Sequence, residues 1–235
     1  MFRTFIASAL MFAVTMVAAG PPSNITREEM SLIPRYCAYA QGSGNYMSSE
    51  SRRWAALMPG NFSGIHHYCW AQIFWLRAQR ANQSAQARAY LLDLVVENCT
   101  YVTKNAKSDF VLLPEIYARI GEAHLRRSRP SEANQAFSQA RELKPDYWPA
   151  YSHWAEFLIN SGKMAEAKQL VKSGLEYNPN SRILLEQYRL LGGKPSEIVQ
   201  KNAKELQPNT DRTGPPIERE ILEAPPPQLG TGLPH

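Results

Sequence analysis

One interval constrains this chain more than any other feature. Pro145 and Pro179 lie 34 residues apart. The same interval separates Tyr117 from Tyr151, Ile120 from Trp154, Gly121 from Ala155, Ala133 from Ala167, Phe137 from Val171 and Ala140 from Gly174. A fixed period of this length marks a supersecondary unit that is repeated and stacked. Within each unit the apolar residues recur at helical spacing, first as Tyr117, Ile120, Gly121 and His124, then as Ala133, Phe137 and Ala140. Each unit is therefore two antiparallel helices. Gly121 leaves room for a neighbouring helix despite a helix-propensity cost of roughly 1 kcal/mol, and Phe137 fills the space between Ala133 and Ala140. Pro130-Ser131 reads as the first turn, with Ser131 as helix N-cap, and Ser161-Gly162 as the second. Lys144-Pro145 and Asn178-Pro179 end the second helices, because proline disfavours helix at the residue before it. One such pair cannot bury both of its faces, so neighbours are expected on either side.

These residues, spaced as W-x₂-L-G-x₂-Y…A-x₃-F…P, resemble the tetratricopeptide repeat family over about a third of the chain. The resemblance implies an all-α fold of helical hairpins stacked as a short right-handed solenoid, and a role in binding other proteins. It also implies a groove lined by the first helix of each pair. The matching positions are Glu115, Ala118, Glu122 and Arg126, then Ser152, Glu156, Ile159 and Asn160. Family members that clamp a C-terminal carboxylate use basic and asparagine residues there. Glu122 and Glu156 argue for a basic or mixed peptide or protein segment instead. His124 stands where the family prefers tyrosine and reads as a packed, hydrogen-bonded histidine.

The remainder of the chain is organised around those repeats. Residues 1–19, with Arg3, an apolar run to Met16 and then Val17-Ala18-Ala19, have the layout of a cleavable secretory leader. The apolar run is too short for a comfortable membrane span, and no second long one follows. The expected location is periplasmic or secreted. Loss of Arg3 with the leader lowers the formal charge from +5 to +4. That excess is spread over Arg52-Arg53, Lys104, Lys107 and Arg126-Arg127-Ser128-Arg129, which read as solvated helix ends rather than a nucleic-acid footprint.

Residues 20–61 carry no repeat signature and read as an N-terminal helical cap. In it Thr26-Arg27-Glu28-Glu29 is a capping box, Gln41 to Tyr46 a loop, and Ser48 to Met58 a helix. Residues 62–207 form the repeat domain. Its clear repeats are 114–147 and 148–181, between degenerate pairs at 62–113 and 182–207. The first degenerate pair consists of a long aromatic helix from Phe62 to Ala81 and a partner from Ser84 to Ala106. The last consists of Ser181 to Leu191 and Ser196 to Leu206. Residues 208–235 form a proline-rich tail with seven of the chain's 17 prolines, a composition that favours disorder or polyproline structure.

Three cysteines, Cys37, Cys69 and Cys99, sit in a chain expected to be exported, so one disulfide is permitted and one thiol is left over. Cys37 and Cys69 both lie among aromatics, and the Pro59-Gly60 turn lets the chain between them reverse. Cys99 lies on an apolar helical stripe with Val95 and Val102. The expected pair is Cys37–Cys69.

The chain has no G-x-x-x-x-G-K-[ST], G-x-S-x-G, H-E-x-x-H, C-x-x-C or C-x-x-C-H motif, so no catalytic residue and no cofactor is assigned. Four glycosylation sequons begin at Asn24, Asn61, Asn82 and Asn98, and read as chance matches. The unusual cluster is His66-His67-Tyr68-Cys69-Trp70. A helical spacing of three puts His66 and Cys69 on one face, which opens an alternative to the scaffold reading: an exported metal or redox protein centred on His66, His67 and Cys69.

Overall fold

The computed structural model describes residues 20–201, so the leader, residues 202–207 of the last expected pair and the proline-rich tail lie outside the described residues. The described residues form nine α-helices joined by turns and short 3-10 segments. They are α1 (Arg27–Ser31), α2 (Ser49–Leu57), α3 (His66–Ala78), α4 (Ala85–Asn105), α5 (Leu113–Arg126), α6 (Pro130–Leu143), α7 (Trp148–Asn160), α8 (Met164–Tyr177) and α9 (Arg182–Leu190). The all-α fold is as expected. Helix α3 packs on α4, α5 on α6 and α7 on α8, while α5 lies beside α7 and α7 beside α9. The long helices are thus sequential hairpins whose first members form a row.

Small residues set the closeness of the repeat contacts. A Cβ placed on Gly121 would stand 2.8 Å from the Phe137 ring, and one on Gly174 would stand 2.8 Å from Tyr151 and 2.9 Å from Leu184. Such spacing is well inside van der Waals contact, so glycine at both positions is a packing requirement. Phe137, Ala133, Ala140 and Ala150 are fully buried in one cluster, and Ala155, Ala167, Val171 and Leu175 in the next. Tyr151 closes the seam by donating its hydroxyl to the Pro145 carbonyl at 2.9 Å. Asn178 donates from its side chain to the Asp146 carbonyl at 3.1 Å, tying the two proline turns together.

Hydroxyl side chains cap several helices. Thr26 and Glu29 make the reciprocal capping box, and Ser48, Ser84 and Ser181 accept from backbone amides of α2, α4 and α9. Three elements differ from the sequence reading. Ser131 is not an N-cap: α6 starts at Pro130, whose absent N–H costs nothing in the first turn. The reversal falls instead on Ser128, at φ 54°. The helix expected from Phe62 begins only at His66, after a 3-10 turn at Phe62–Gly64 in which Gly64 packs against the Asn61 side chain, and it ends at Ala78. The helix expected over 196–206 is absent from its described part. Pro195–Glu197 form a 3-10 turn, and Lys201 is held against α8 by its amide to the Glu176 carbonyl and its ammonium to the Glu176 carboxylate, both at 2.7 Å.

The N-terminal region is fastened by specific polar and covalent links. Cys37 and Cys69 form a disulfide, with Cα atoms 5.6 Å apart, that joins the Arg35–Tyr39 turn to α3. Glu29, 3% exposed, receives Arg77 at 2.7 and 2.9 Å and Arg80 at 2.6 Å. The hydrogen bond from Arg77 holds the Glu29 carboxyl down at about 2. Asp93 of α4 takes a two-pronged contact from Arg127 at 2.9 Å, with Arg129 at 3.3 Å. Arg127 and Arg129 are therefore ties between hairpins rather than the solvated helix end the sequence suggests.

Candidate partner-binding face

The expected groove residues divide into three groups. Arg126, Glu156 and Asn160 are exposed and Ile159 is half-buried, on the last turns of α5 and α7. Ala118 and Ser152, at 4% and 7% exposure, lie inside. Because α5 and α7 run side by side, the flank that carries these small residues is covered by the neighbouring hairpin, and Ala118 packs with Phe137, Ala140 and Ala150. Ala118 and Ser152 are thus packing residues here, which corrects their assignment to the groove. Glu115 is also turned inward. It accepts a hydrogen bond of 2.6 Å from the Tyr68 hydroxyl, across from α3, and burial raises its carboxyl above the ordinary range.

Glu122 sits between these groups. It accepts from Arg119 at 2.7 Å on its own helix and faces the His153 Nε2 of α7 at 3.0 Å. Its charge is committed to those neighbours before any partner arrives.

The sequence places Trp75 only among the core aromatics of the long helix and assigns no role to Arg119 or His153, yet these three organise this face. Trp75 on α3 is buried, and the guanidinium carbons of Arg119 and Arg126 stand 4.4 and 4.8 Å from its ring centroid. Both distances suit cation–π contact. Burial works against the charge of Arg119, but Glu122, Tyr68 and Glu115 outweigh it and hold its pKa above the usual arginine value. Arg126 is exposed along one side, and the desolvation of its guanidinium lowers its pKa. A seven-residue spacing puts Arg119 and Arg126 on one side of α5, a signal readable in the sequence. Their shared contact with Trp75 is not, because no repeat register extends to α3.

The second candidate cluster is rearranged by the disulfide. Cys69 is bonded to Cys37 and cannot serve as a thiolate ligand beside His66 and His67. Among the described residues, no group of three or more His, Cys, Asp and Glu side chains is placed to hold a metal ion. Cys99 is fully buried, and burial pushes its thiol well up. His124 is half-buried as expected, with its pKa lowered by burial, but its Nδ1 has no hydrogen-bond partner, in contrast to the hydrogen-bonded histidine the sequence suggests. Asn98, in one of the sequons, is fully buried and donates to the Leu94 carbonyl at 2.9 Å.

No described helix is long and apolar enough to cross a membrane. Neither a curated protein nor a solved structure matches the chain. A family profile described as tetratricopeptide repeat matches residues 124–187. That stretch runs from the end of α5 through α6, α7 and α8 into α9. The chain is similar to that family over these elements alone.

Proposed function

We propose that the chain is an exported scaffold or adaptor that binds an extended protein segment along the row of first helices, on the side where α5 and α7 present Arg126, Glu156, Ile159 and Asn160. The observation that carries this reading is the exposure of those side chains on neighbouring helices of the matched repeats, next to a rigid base of Trp75, Arg119, Glu122 and His153. A guanidinium, a carboxylate, an amide and a half-buried isoleucine side by side favour a segment of mixed charge. With Glu122 already paired, the face is less acidic than its sequence implies. Export is supported by the leader-like N-terminus and by the Cys37–Cys69 disulfide, since disulfides persist mainly in oxidising compartments.

Photo-crosslinking tests this directly. A crosslinkable residue at position 156 or 160 should capture a discrete partner in the native compartment, while one at Gln169, exposed on α8, should not. Reversing both exposed charges, Arg126→Glu with Glu156→Lys, should remove the adduct without loss of helix content. Each exposed pair is modest and screened by salt, so capture should also fall as ionic strength rises. Adducts of equal yield from position 169, or adducts that survive the double reversal, would move the binding face elsewhere.

A further inference from the structure

The row of first helices changes character at its last member. The 34-residue interval carries Glu122 and Glu156 on to Leu190, and Arg119 and His153 on to Gln187. Gln187 donates from its side-chain amide to the Ser152 carbonyl at 3.4 Å, so this side of α9 adjoins α7. Ile183 stands four residues before Gln187 and Leu190 three after it, which puts both on that same side. Ile183 is 47% exposed and Leu190 69%. The face that is charged on α5 and α7 therefore ends in an apolar stripe on α9. Covering each of these side chains would gain up to roughly 1.5–3 kcal/mol.

The chain carries a segment that matches this stripe. Lys201 is held at the end of α8, with its ammonium on the Glu176 carboxylate and 5.7 Å from the Tyr177 ring centroid. Tyr177 ends α8 and Arg182 begins α9, so the chain beyond Lys201 departs from the Ile183 end of the stripe. Ile217-Glu218-Arg219-Glu220-Ile221-Leu222 begins 16 residues on. A flexible connection of that length spans roughly 20–25 Å on average, whereas Ile183 to Leu190 covers about 10 Å of helix. The segment groups three large aliphatics, and with Glu223 its three carboxylates outnumber the single Arg219. The exposed side chains of Arg182 and Lys194, at the two ends of α9, offer the opposite charge. A short tether also raises the effective concentration of the segment to the millimolar range, so weak contacts suffice. We propose that residues 217–222 dock on α9, with Ile217, Ile221 and Leu222 against Ile183 and Leu190 and the acidic residues towards Arg182 and Lys194. The docking is internal and stands apart from the scaffold reading. A partner segment that extends along the same row must displace the tail, and that consequence alone rests on the scaffold reading.

The test needs only the purified protein. A photo-crosslinking side chain is placed at position 190, or at Gln169 on α8 as the control, and the adducts are mapped by mass spectrometry. Equal amounts of nitrogen-14 and nitrogen-15 protein are mixed before irradiation, so that a link within one chain stays isotopically pure. Position 190 should link to a peptide containing residues 217–222, within one chain, and position 169 should not. Ile221→Asp with Leu222→Asp leaves every helix residue unchanged and should lower the yield at least ~10-fold, as loss of two buried aliphatic contacts requires. No tail adduct from position 190, an equal yield from position 169, or a yield unchanged by the double substitution would overturn the docking. Adducts of mixed isotope would overturn the choice of occupant and give the stripe to a second copy of the chain.

Discussion

The two halves of this molecule are held together by different means. From α5 to α9 the chain repeats a small set of contacts: a glycine under an aromatic ring, alanines where helices cross, and a proline that ends each unit. From α1 to α4 no contact repeats. That half is fastened by a disulfide, by one carboxylate shared between Arg77 and Arg80, and by an aromatic core that includes Tyr36, Trp54, Tyr68, Phe74 and Trp75. A repeat can rely on its neighbour's copy of the same surface, whereas a terminal cap has no copy and must be attached by links of its own.

The largest expected effect lies in the repeats. Phe137 is fully buried against Gly121. Phe137→Ala should cost roughly 3–5 kcal/mol in chemical denaturation. A loss below about 1 kcal/mol is the size of a surface change and would undo the register on which the repeat half is read.

Removing the disulfide tests the other half. The link spans 32 residues, and Cys37→Ala with Cys69→Ala should cost about 3–4 kcal/mol in the chain-entropy view. Hydrogen exchange should rise in the Arg35–Tyr39 turn and α2, with little change in α7 and α8. Uniform loss of protection across both halves would show a single cooperative unit and remove the distinction drawn above.

Acid should also act on the N-terminal half first. The Glu29 carboxyl is depressed from 4.5 to about 2, chiefly by the hydrogen bond from Arg77. Its contribution is present above the unfolded-state pKa and is lost as the pH falls from about 5 towards 2. The difference in pKa corresponds to a stability change of roughly 3 kcal/mol. Glu29→Gln should therefore flatten the fall in stability over that window. Identical acid profiles for the two proteins would mean that Arg77 and Arg80 do not hold Glu29 as drawn.

How far the sequence could be read follows the same division. The 34-residue period identifies Gly121, Phe137, Ala140, Gly174 and both proline turns in the sequence itself, because periodic packing leaves a periodic pattern. The disulfide partners were also legible, from the aromatic surroundings of Cys37 and Cys69. The groove was only partly so. A repeat pattern says which flank of a helix faces its own hairpin, but how far the next hairpin covers the other flank depends on crossing geometry. Ala118 and Ser152 are lost to burial for that reason, and Glu115 to the hydrogen bond from Tyr68 of the preceding hairpin. Trp75 is legible only as a core aromatic of the long helix, because that helix carries no register, and its two arginines become neighbours only through folding.

The smallest expected effect compares the two repeats with each other. Ser128 and Gly162 stand 34 residues apart, each just past the end of a first helix, at φ 54° and φ 75°. Both occupy the left-handed region, where glycine is unstrained and serine is not. A Cβ on Gly162 would meet nothing within 4 Å, so the cost of Gly162→Ala is conformational only, roughly 1 kcal/mol. Ser128 is exposed, so Ser128→Gly removes strain without opening a cavity. The relief is partly offset by the greater freedom of glycine in the unfolded chain, leaving a gain of about 0.5 kcal/mol. Paired denaturation curves should thus move in opposite directions at two equivalent turns. If Ser128→Gly destabilises instead, the serine side chain contributes to its turn something the glycine of the next repeat does not, and the two units are less alike than their period implies.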